Sequence, residues 1–330
     1  MGNFQDWSVG ISAAEGSFGA TTTIARHLEF TEPKPFTVDP GIKQGAGIRP
    51  GSRVARSARR VTTIKQASGD ITVEAFSKGQ GLLYAAGMGS GSSTLVSAGL
   101  YQQLHTFADS LPSHNIQFGI PNAAGTVSPI TYRGCTVSSF EVGGAIEDIA
   151  TLKTSWDARD WDTATAYVTP SYPTGGQLFT VKDITIYGGT LTAPTATALA
   201  SALTPIAGVK SFKVTVNNQV LTSRFYANAG GLKDRQLPGT RQPAIELDVD
   251  YVTNDLRDAW LGQSALTLVA TMTAGTDVLQ VVVPEMKLDG DLPEGGPDVI
   301  ASQAIKASVL DNLTAAQPLW IVTRTSDTAL

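Results

Sequence analysis

Along residues 69–87 the chain reads GDITVEAFSKGQGLLYAAG. Ile71, Val73 and Ala75 alternate with Thr72 and Glu74, the period of two expected of a half-buried strand. Ser77, with Gln80 three residues on, has the pattern of a capping box that opens a helix. Leu82, Leu83 and Tyr84 would form the helix's apolar face, and Gly87 its stop. The same plan returns over residues 243–262, PAIELDVDYVTNDLRDAWLG. There Ile245, Leu247 and Val249 alternate with Glu246, Asp248 and Asp250, Thr253 stands at the N-cap, Leu256 and Trp260 are apolar, and Gly262 ends the helix. Ile71 to Ile245 and Leu82 to Leu256 both span 174 positions in a chain of 330. A strand–helix unit that recurs at fixed offset predicts a duplicated protein.

The remaining pattern predicts short strands separated by Gly and Pro. Residues 1–35 read as an irregular arm, since Pro33 and Pro35 forbid helix. A first strand is expected at 36–38, a long polar loop at 41–60 and a return strand at 61–65. Residues 88–99 (MGSGSSTLVSAG) read as loop, and 100–107, 115–120, 130–140 and 150–156 as strands. The Thr/Pro/Gly-rich stretch 163–176 is the expected boundary, which gives an arm (1–35), a first domain (36–165), a junction (166–180) and a second domain (181–330). In the second half, strands are expected at 180–187, 210–216, 266–272, 279–283, 304–310 and 318–325, with a loop at 217–240 matching the earlier one. Cys135-Thr136-Val137 aligns with Met286-Lys287-Leu288 at an offset of 151, and Lys153 with Lys306 at 153. The fall from 174 places roughly 23 extra residues of the first half within 88–115, as a surface insertion.

Composition narrows the class. Charged residues are only 16% of the chain, as suits sheet and loop rather than a helical bundle. The one cysteine, Cys135, sits in an alternating strand and reads as a small buried side chain. No stretch approaches the roughly 18 apolar residues of a membrane helix, the start has no secretory pattern, and Asp6 argues against myristoylation. The net charge of −5 does not fit a protein that grips nucleic acid. Candidate chemistry is sparse. His27, His105 and His114 have no partner at metal or triad spacing. GMGSGSS (87–93) lacks the lysine of a phosphate loop, and WDARDWD (156–162) misses the alternating acids of a calcium loop, reading instead as solvated charge at a strand end. No enzyme, cofactor or metal site is expected. A glycan- or protein-binding β-sandwich is the alternative, weakened for glycans by the scatter of Trp7, Trp156, Trp161, Trp260 and Trp320.

The order of several pieces resembles the major tail tube proteins of long, non-contractile-tailed bacteriophages. These are GSFGATTT, GDITVEA followed by GLLYAAG, LPSHNIQFG leading to YRGCTVSSFEV and KTSWDARD, then FKVTVNN and IELDVDYV. The likeness covers almost the whole chain, although the length of 88–115 departs from it. The resemblance implies a mainly β protein of two tandem β-sandwich domains, each flanked by a short helix. Their inner sheets would join into a channel barrel within a ring, and rings would stack into a tube that conducts phage DNA. Two tube domains per chain imply a trimeric, pseudo-sixfold ring, with a hexameric ring as the alternative. Further partners implied are a tape measure protein, a tail terminator and distal tail proteins. The implied place is the virion tail, assembled in the host cytoplasm without membrane insertion.

Two surfaces become candidates. A conduit must not hold DNA, and phosphate attraction grows with lining cations. Thr72, Glu74, Glu246, Asp248 and Asp250 are therefore expected to face the channel. Arg49, Arg53, Arg56, Arg59 and Arg60 lack interleaved aromatics for base stacking. They read as a ring-stacking loop that would meet Asp289, Asp291, Glu294 and Asp298, or Asp157, Asp160 and Asp162, of a neighbouring copy.

Overall fold

The computed structural model describes residues 6–330, apart from 33, 52, 291, 297 and 298. The fold is mainly β: antiparallel sheets packed face to face, with two short helices. The first half contributes β1 (Ser8–Ala14), β2 (Ile24–Leu28), β3 (Thr37–Asp39), β4 (Ile42–Gln44), β5 (Arg60–Thr62), β6 (Gln66–Glu74) and α1 (Gly81–Met88). It continues with β7 (Gly89–Ser97), β8 (Leu100–Phe107), β9 (His114–Pro121), β10 (Val127–Ala145), β11 (Thr151–Ala158) and β12 (Asp160–Asp162). The second half contributes β13 (Ile184–Gly188), β14 (Thr204–Pro205), β15 (Val209–Asn217), β16 (Gln242–Asp250), α2 (Asp255–Leu261), β17 (Leu266–Ala274), β18 (Asp277–Gly290), β19 (Glu294–Gly296), β20 (Val299–Val309) and β21 (Trp320–Thr325).

Strand pairing organises these elements into two layers. In one sheet the order is β3-β6-β11-β10-β15-β16-β20-β18. β10 and β18 are long enough to cross between layers. Their N-terminal parts pair in the second layer, β10 with β9 and β12, and β18 with β17 and β21. The pairing does not close on itself within one chain among the described residues. Residues that alternate inward, such as Ile71, Val73, Phe140, Val142, Leu152, Val214, Ile245 and Leu247, fill the space between the layers. The buried cluster is contiguous from Val9 to Ile321 and runs through both halves.

The order of elements is the same in the two halves, and the structure corrects its starting point. Residues 8–28, expected as part of an irregular arm, contain β1 and β2, and β1 pairs with both β2 and β9. They occupy the place that β13 and β14 hold beside β17. Their alternation escaped notice because β1 is buried on both faces, so its run SVGIS has no polar side to read. The loop at 41–60 is held at its base by a three-residue strand pair, β4–β5, and its long connection ends in a 3-10 turn at Ser57–Arg59. The extra residues of the first half are not a loop: β7 and β8 form a hairpin, and β8 pairs with β21 of the second half. Register also corrects the alignment of the later strands. Val137 pairs with Trp156, and Met286 with Val309, so the offset there is 149 rather than 151. Beyond Val137 a bulge on β10, between Val137 and Ser139, takes one more residue, so that Glu141 matches Asp289 at 148.

The helix caps differ too. No side chain caps α1, whose N-cap is Gln80. Gln80 instead bridges the strand end, accepting from Phe76 N at 3.1 Å and donating to Glu74 O at 2.6 Å, while Ser77 Oγ accepts from Gln177 N. Gly87 lies inside α1 against Phe140, and Gly89, with φ 103°, ends it. The helix is apolar on all sides and all its residues are buried, beneath β7, β8 and Leu330. In α2 the N-cap is Asn254 rather than Thr253, and only Ala259 is buried.

Gly143 marks the joint between β10 and β15. Its φ of 148° suits glycine, and a Cβ there would overlap the carbonyl oxygen of Phe212. Gly143→Ala is expected to destabilise the unassembled chain by more than about 1 kcal/mol, measured as a lower urea midpoint with unchanged slope.

Candidate assembly surfaces

The first surface is the outward face of the eight-stranded sheet. On β6, Thr72 and Glu74 point away from buried Ile71 and Val73, and on β16, Glu246, Asp248 and Asp250 point away from Ile245, Leu247 and Val249. The five candidates therefore share one face, with β11, β10 and β15 between the two groups. The face is not purely acidic. Asp70, Glu74, Glu141, Glu246, Asp248, Asp250 and Asp289 alternate across strands with Lys153, Lys210, Lys213, Lys287 and Lys306. Acids outnumber lysines, and many are paired: Lys153 with Asp70 at 3.3 Å, Lys213 with Glu246 at 2.7 Å and with Glu141 at 3.8 Å, and Lys210 with Asp250. The hydrogen bond from Lys213 raises the lysine's pKa and lowers that of Glu246, which keeps both charged. These lysines were legible as polar positions of alternating strands; Lys153 and Lys306 even align. Cross-strand pairing, which couples them to acids, was not legible without the register.

The second surface is the arginine hairpin. Arg49, Arg53, Arg59 and Arg60 are exposed and Arg56 is half-buried. None of the five forms an ion pair among the described residues. The set Asp157, Asp160 and Asp162 is consumed within the chain, so the expectation of solvated charges at 156–162 is overturned. Asp157 is buried against Lys233 and accepts from Gln236 Nε2 at 2.9 Å. Asp160 pairs with Lys65 at 3.3 Å and Arg133 at 3.0 Å, and Asp162 holds the turn at Ala164 and Thr165. Of the other set, Asp289 and Glu294 are exposed, and Asp291 and Asp298 lie outside the described residues.

The counterpart loop, 218–241, is also hairpin-like, with Phe225 bridged to Lys233. It lies across the first half. Asn218 Nδ2 donates to Gly87 O at 3.0 Å and Val137 O at 3.2 Å, Arg235 donates to Leu111 O at 3.2 Å, and Arg241 to Ala108 O at 2.5 Å. Lys233 supplies the buried ion pair with Asp157.

Chemistry elsewhere is muted. Burial lowers the pKa of His27, His105 and His114, that of His105 to about 3, and pushes the Cys135 thiol well above its usual value. Among the described residues there is no group of His, Cys, Asp and Glu able to hold a metal ion. No helix is long and apolar enough to cross a membrane.

A layered β protein with a broad polar sheet face, open sheet edges and an unseated basic hairpin belongs to the class built for self-association. Comparison with known families gives the particular one: a model described as phage tail tube protein matches residues 8–309, and the chain belongs to that family. No curated protein matches it. Membership makes it a structural component of the virion tail that self-assembles into a tube.

Two outcomes follow. Lys233→Met strands a buried carboxylate and is expected to cost about 3–5 kcal/mol, most of it recovered in Lys233→Met with Asp157→Leu; chemical denaturation of both variants checks this. His105 and His114 are neutral in the folded chain, whereas the unfolded chain protonates them near pH 6.5. Stability is thus present above that pH and is lost as pH falls towards the depressed folded values, by up to about 1.4 kcal/mol per pH unit per histidine. His105→Gln should flatten the unfolding free energy between pH 6 and 4 by roughly one such contribution.

Proposed function

We propose that the chain is a duplicated major tail tube protein of a long, non-contractile tail. Its two halves each supply four strands to the wall of a channel through which double-stranded DNA passes. What carries this reading is the repeated strand order. β3-β6-β11-β10 is followed by β15-β16-β20-β18, and β10 pairs with β15 as one half meets the other. That leaves β3 open at one end and the C-terminal part of β18 at the other. A head-to-tail contact of this kind closes into a ring when the rotation allows. Three copies would continue the sheet around a pseudo-sixfold ring, and a ring of six copies is the other closure. The β3 edge is short and Pro35 precedes it, which limits indiscriminate pairing of free subunits.

In this reading Thr72, Glu74, Glu246, Asp248 and Asp250 face the channel. Three of the five lysines there, Lys153, Lys210 and Lys213, are tied to carboxylates, which leaves few free cations on the wall to release counterions from DNA. The arginine hairpin mediates assembly. Exposed ion pairs contribute only about 0–1 kcal/mol each, so repetition around a ring is what makes them count. A tape measure protein, a terminator and distal tail proteins are the partners at the lumen and the tube ends.

A second reading, a binding module, has one observation in its favour. A cavity of about 320 Å³ lies beside α2, lined by Ile206, Val249, Val252, Leu256 and Leu266. Its apolar lining suits a side chain better than a sugar.

Negative-stain microscopy of concentrated protein is expected to show rings or hollow tubes, and counting subunits per ring separates three from six. A monomer at every concentration would sink the tube reading. Arg53→Glu with Arg56→Glu should leave soluble, folded subunits that no longer form tubes; normal tubes from that variant would remove the hairpin from assembly.

A further inference from the structure

Among its described residues the hairpin at 41–63 meets the rest of its chain at its base, where Thr63 lies against Gly231, and is exposed beyond it. β4 and β5 are exposed along their whole length, and Ile48 and Val54 are 94% and 80% exposed. Arg56 Nε, by contrast, is buried without a hydrogen-bond partner. The counterpart at 218–241 is fastened to the first half through buried Asn218, Lys233 and Gln236, while Leu221 and Tyr226 at its outer part stay exposed. Its seat is the bend of β10 at Gly134–Val137, the end of β11 at Asp157 and the segment 108–111.

The same place exists on the second half and is bare. Register matches Val137 to Met286 and Trp156 to Val309, so the end of β11 corresponds to Leu310 and Asp311 at the end of β20. Gly87 of α1 corresponds to Leu261 of α2. Leu261, Leu310 and Leu313 are 61%, 38% and 90% exposed. The charges are also opposite. Between Gly41 and Lys65 there are five arginines and no carboxylate, whereas Asp311 follows Leu310 at the bare site and Glu285, whose carbonyl accepts from Leu310 N at 3.0 Å, adjoins it. At the offset of 174 that relates β16 to β6, Lys233, which forms the buried pair in the filled seat, corresponds to Arg59, three positions after Arg56.

We propose that hairpin 41–63 is a lateral clasp: it seats on the second half of the neighbouring copy in the same ring, across β18 at Glu285–Met286 and the end of β20, with Arg56 and Arg59 facing Asp311. The inference rests on the ring reading above and specifies its contact. Within one chain, a single step along the sheet carries the second half's hairpin onto the first half. The same step taken once more carries the first half's hairpin onto the second half of the next copy. The seat buries apolar side chains that each free subunit leaves in water, and it gives the arginines carboxylates in a partly desolvated site. It also replaces the expectation of a contact between stacked rings with one inside a ring.

The test is cross-linking of Arg56→Cys with Asp311→Cys by a short bis-maleimide, with buried Cys135 left unlabelled. Unstacked rings should yield a covalent series that stops at the number of copies in one ring. A ladder that continues beyond that number and appears only in stacked tubes would assign the hairpin to the next ring and overturn the clasp. Rings seen by microscopy without any cross-link would overturn it as well. Absence of rings from the unmodified chain would instead sink the ring reading on which the clasp depends. Should the cysteine chain fold poorly, charge exchange gives an independent readout. Arg56→Glu with Arg59→Glu should lower ring yield at least about tenfold, and adding Asp311→Arg should restore part of it. No restoration, in subunits whose melting temperature is unchanged, would count against the pairing.

Discussion

The antiparallel joint between β10 and β15 is the interaction on which the rest depends. Ser139 to Ala145 pair with Asn217 to Ser211, residue for residue. One side of that ladder joins Phe140 and Val142 to Val216 and Val214 in the core, all fully buried. The other side joins Glu141 to Lys213 and, through Lys213, to Glu246. Backbone pairing, apolar burial and charge pairing therefore coincide at one place. A register slip of one residue would turn both rows over at once, placing Glu141 in the core and Phe140 in water. The joint is thus strongly specified. Gly143 adds a steric condition, since only a residue without Cβ lets Phe212 O approach so closely.

What lies behind the joint explains why it need not be strong by itself. Loop 218–241 crosses it and is fastened on the far side by Lys233 and Asp157, with Gln236 bonded to the same carboxylate. On the opposite layer β8 pairs with β21, so an element inserted in the first half extends a sheet of the second. Asp327 then returns to the first half, accepting from Gly79 N at 2.7 Å and pairing with Arg26 at 3.1 Å. Each link alone is modest, but their loss is coupled, because freeing the joint exposes Asp157, Phe140 and α1 together.

Much of this was legible in the sequence, and the failures have particular causes. The period of two over 71–75 and 245–249 placed β6 and β16 and their polar faces correctly, because one side of each strand is buried and the other wet. β1 was missed since it is buried on both sides, and β7 because Gly and Ser fill a strand whose partner, β8, supplies the ladder. Ser77 and Thr253 look like caps yet cap nothing; Ser77 is engaged by the segment that links the halves, a contact separated by 100 positions. For the candidate surfaces, the five sheet-face residues and the five arginines were readable as types at positions. That Asp157 and Asp160 are occupied internally was not, because Lys233 and Lys65 reach them from far along the chain.

The charge pattern of the sheet face bears on the proposed passage of DNA along it. A wall of carboxylates alone would repel DNA, but it would also set acids side by side across neighbouring strands, where like charges destabilise the sheet. Interleaved lysines remove that conflict. Lys213 between Glu141 and Glu246, and Lys306 opposite Glu246 and Asp289, convert a stack of acids into alternating charge that supports the ladder. Acids remain in excess, so a phosphate approaching the face meets a net negative field within the roughly 8 Å over which charge is felt at physiological salt. In the proposed channel the same residues would serve both sheet stability and weak affinity for DNA, and neither requirement alone would select this mixture.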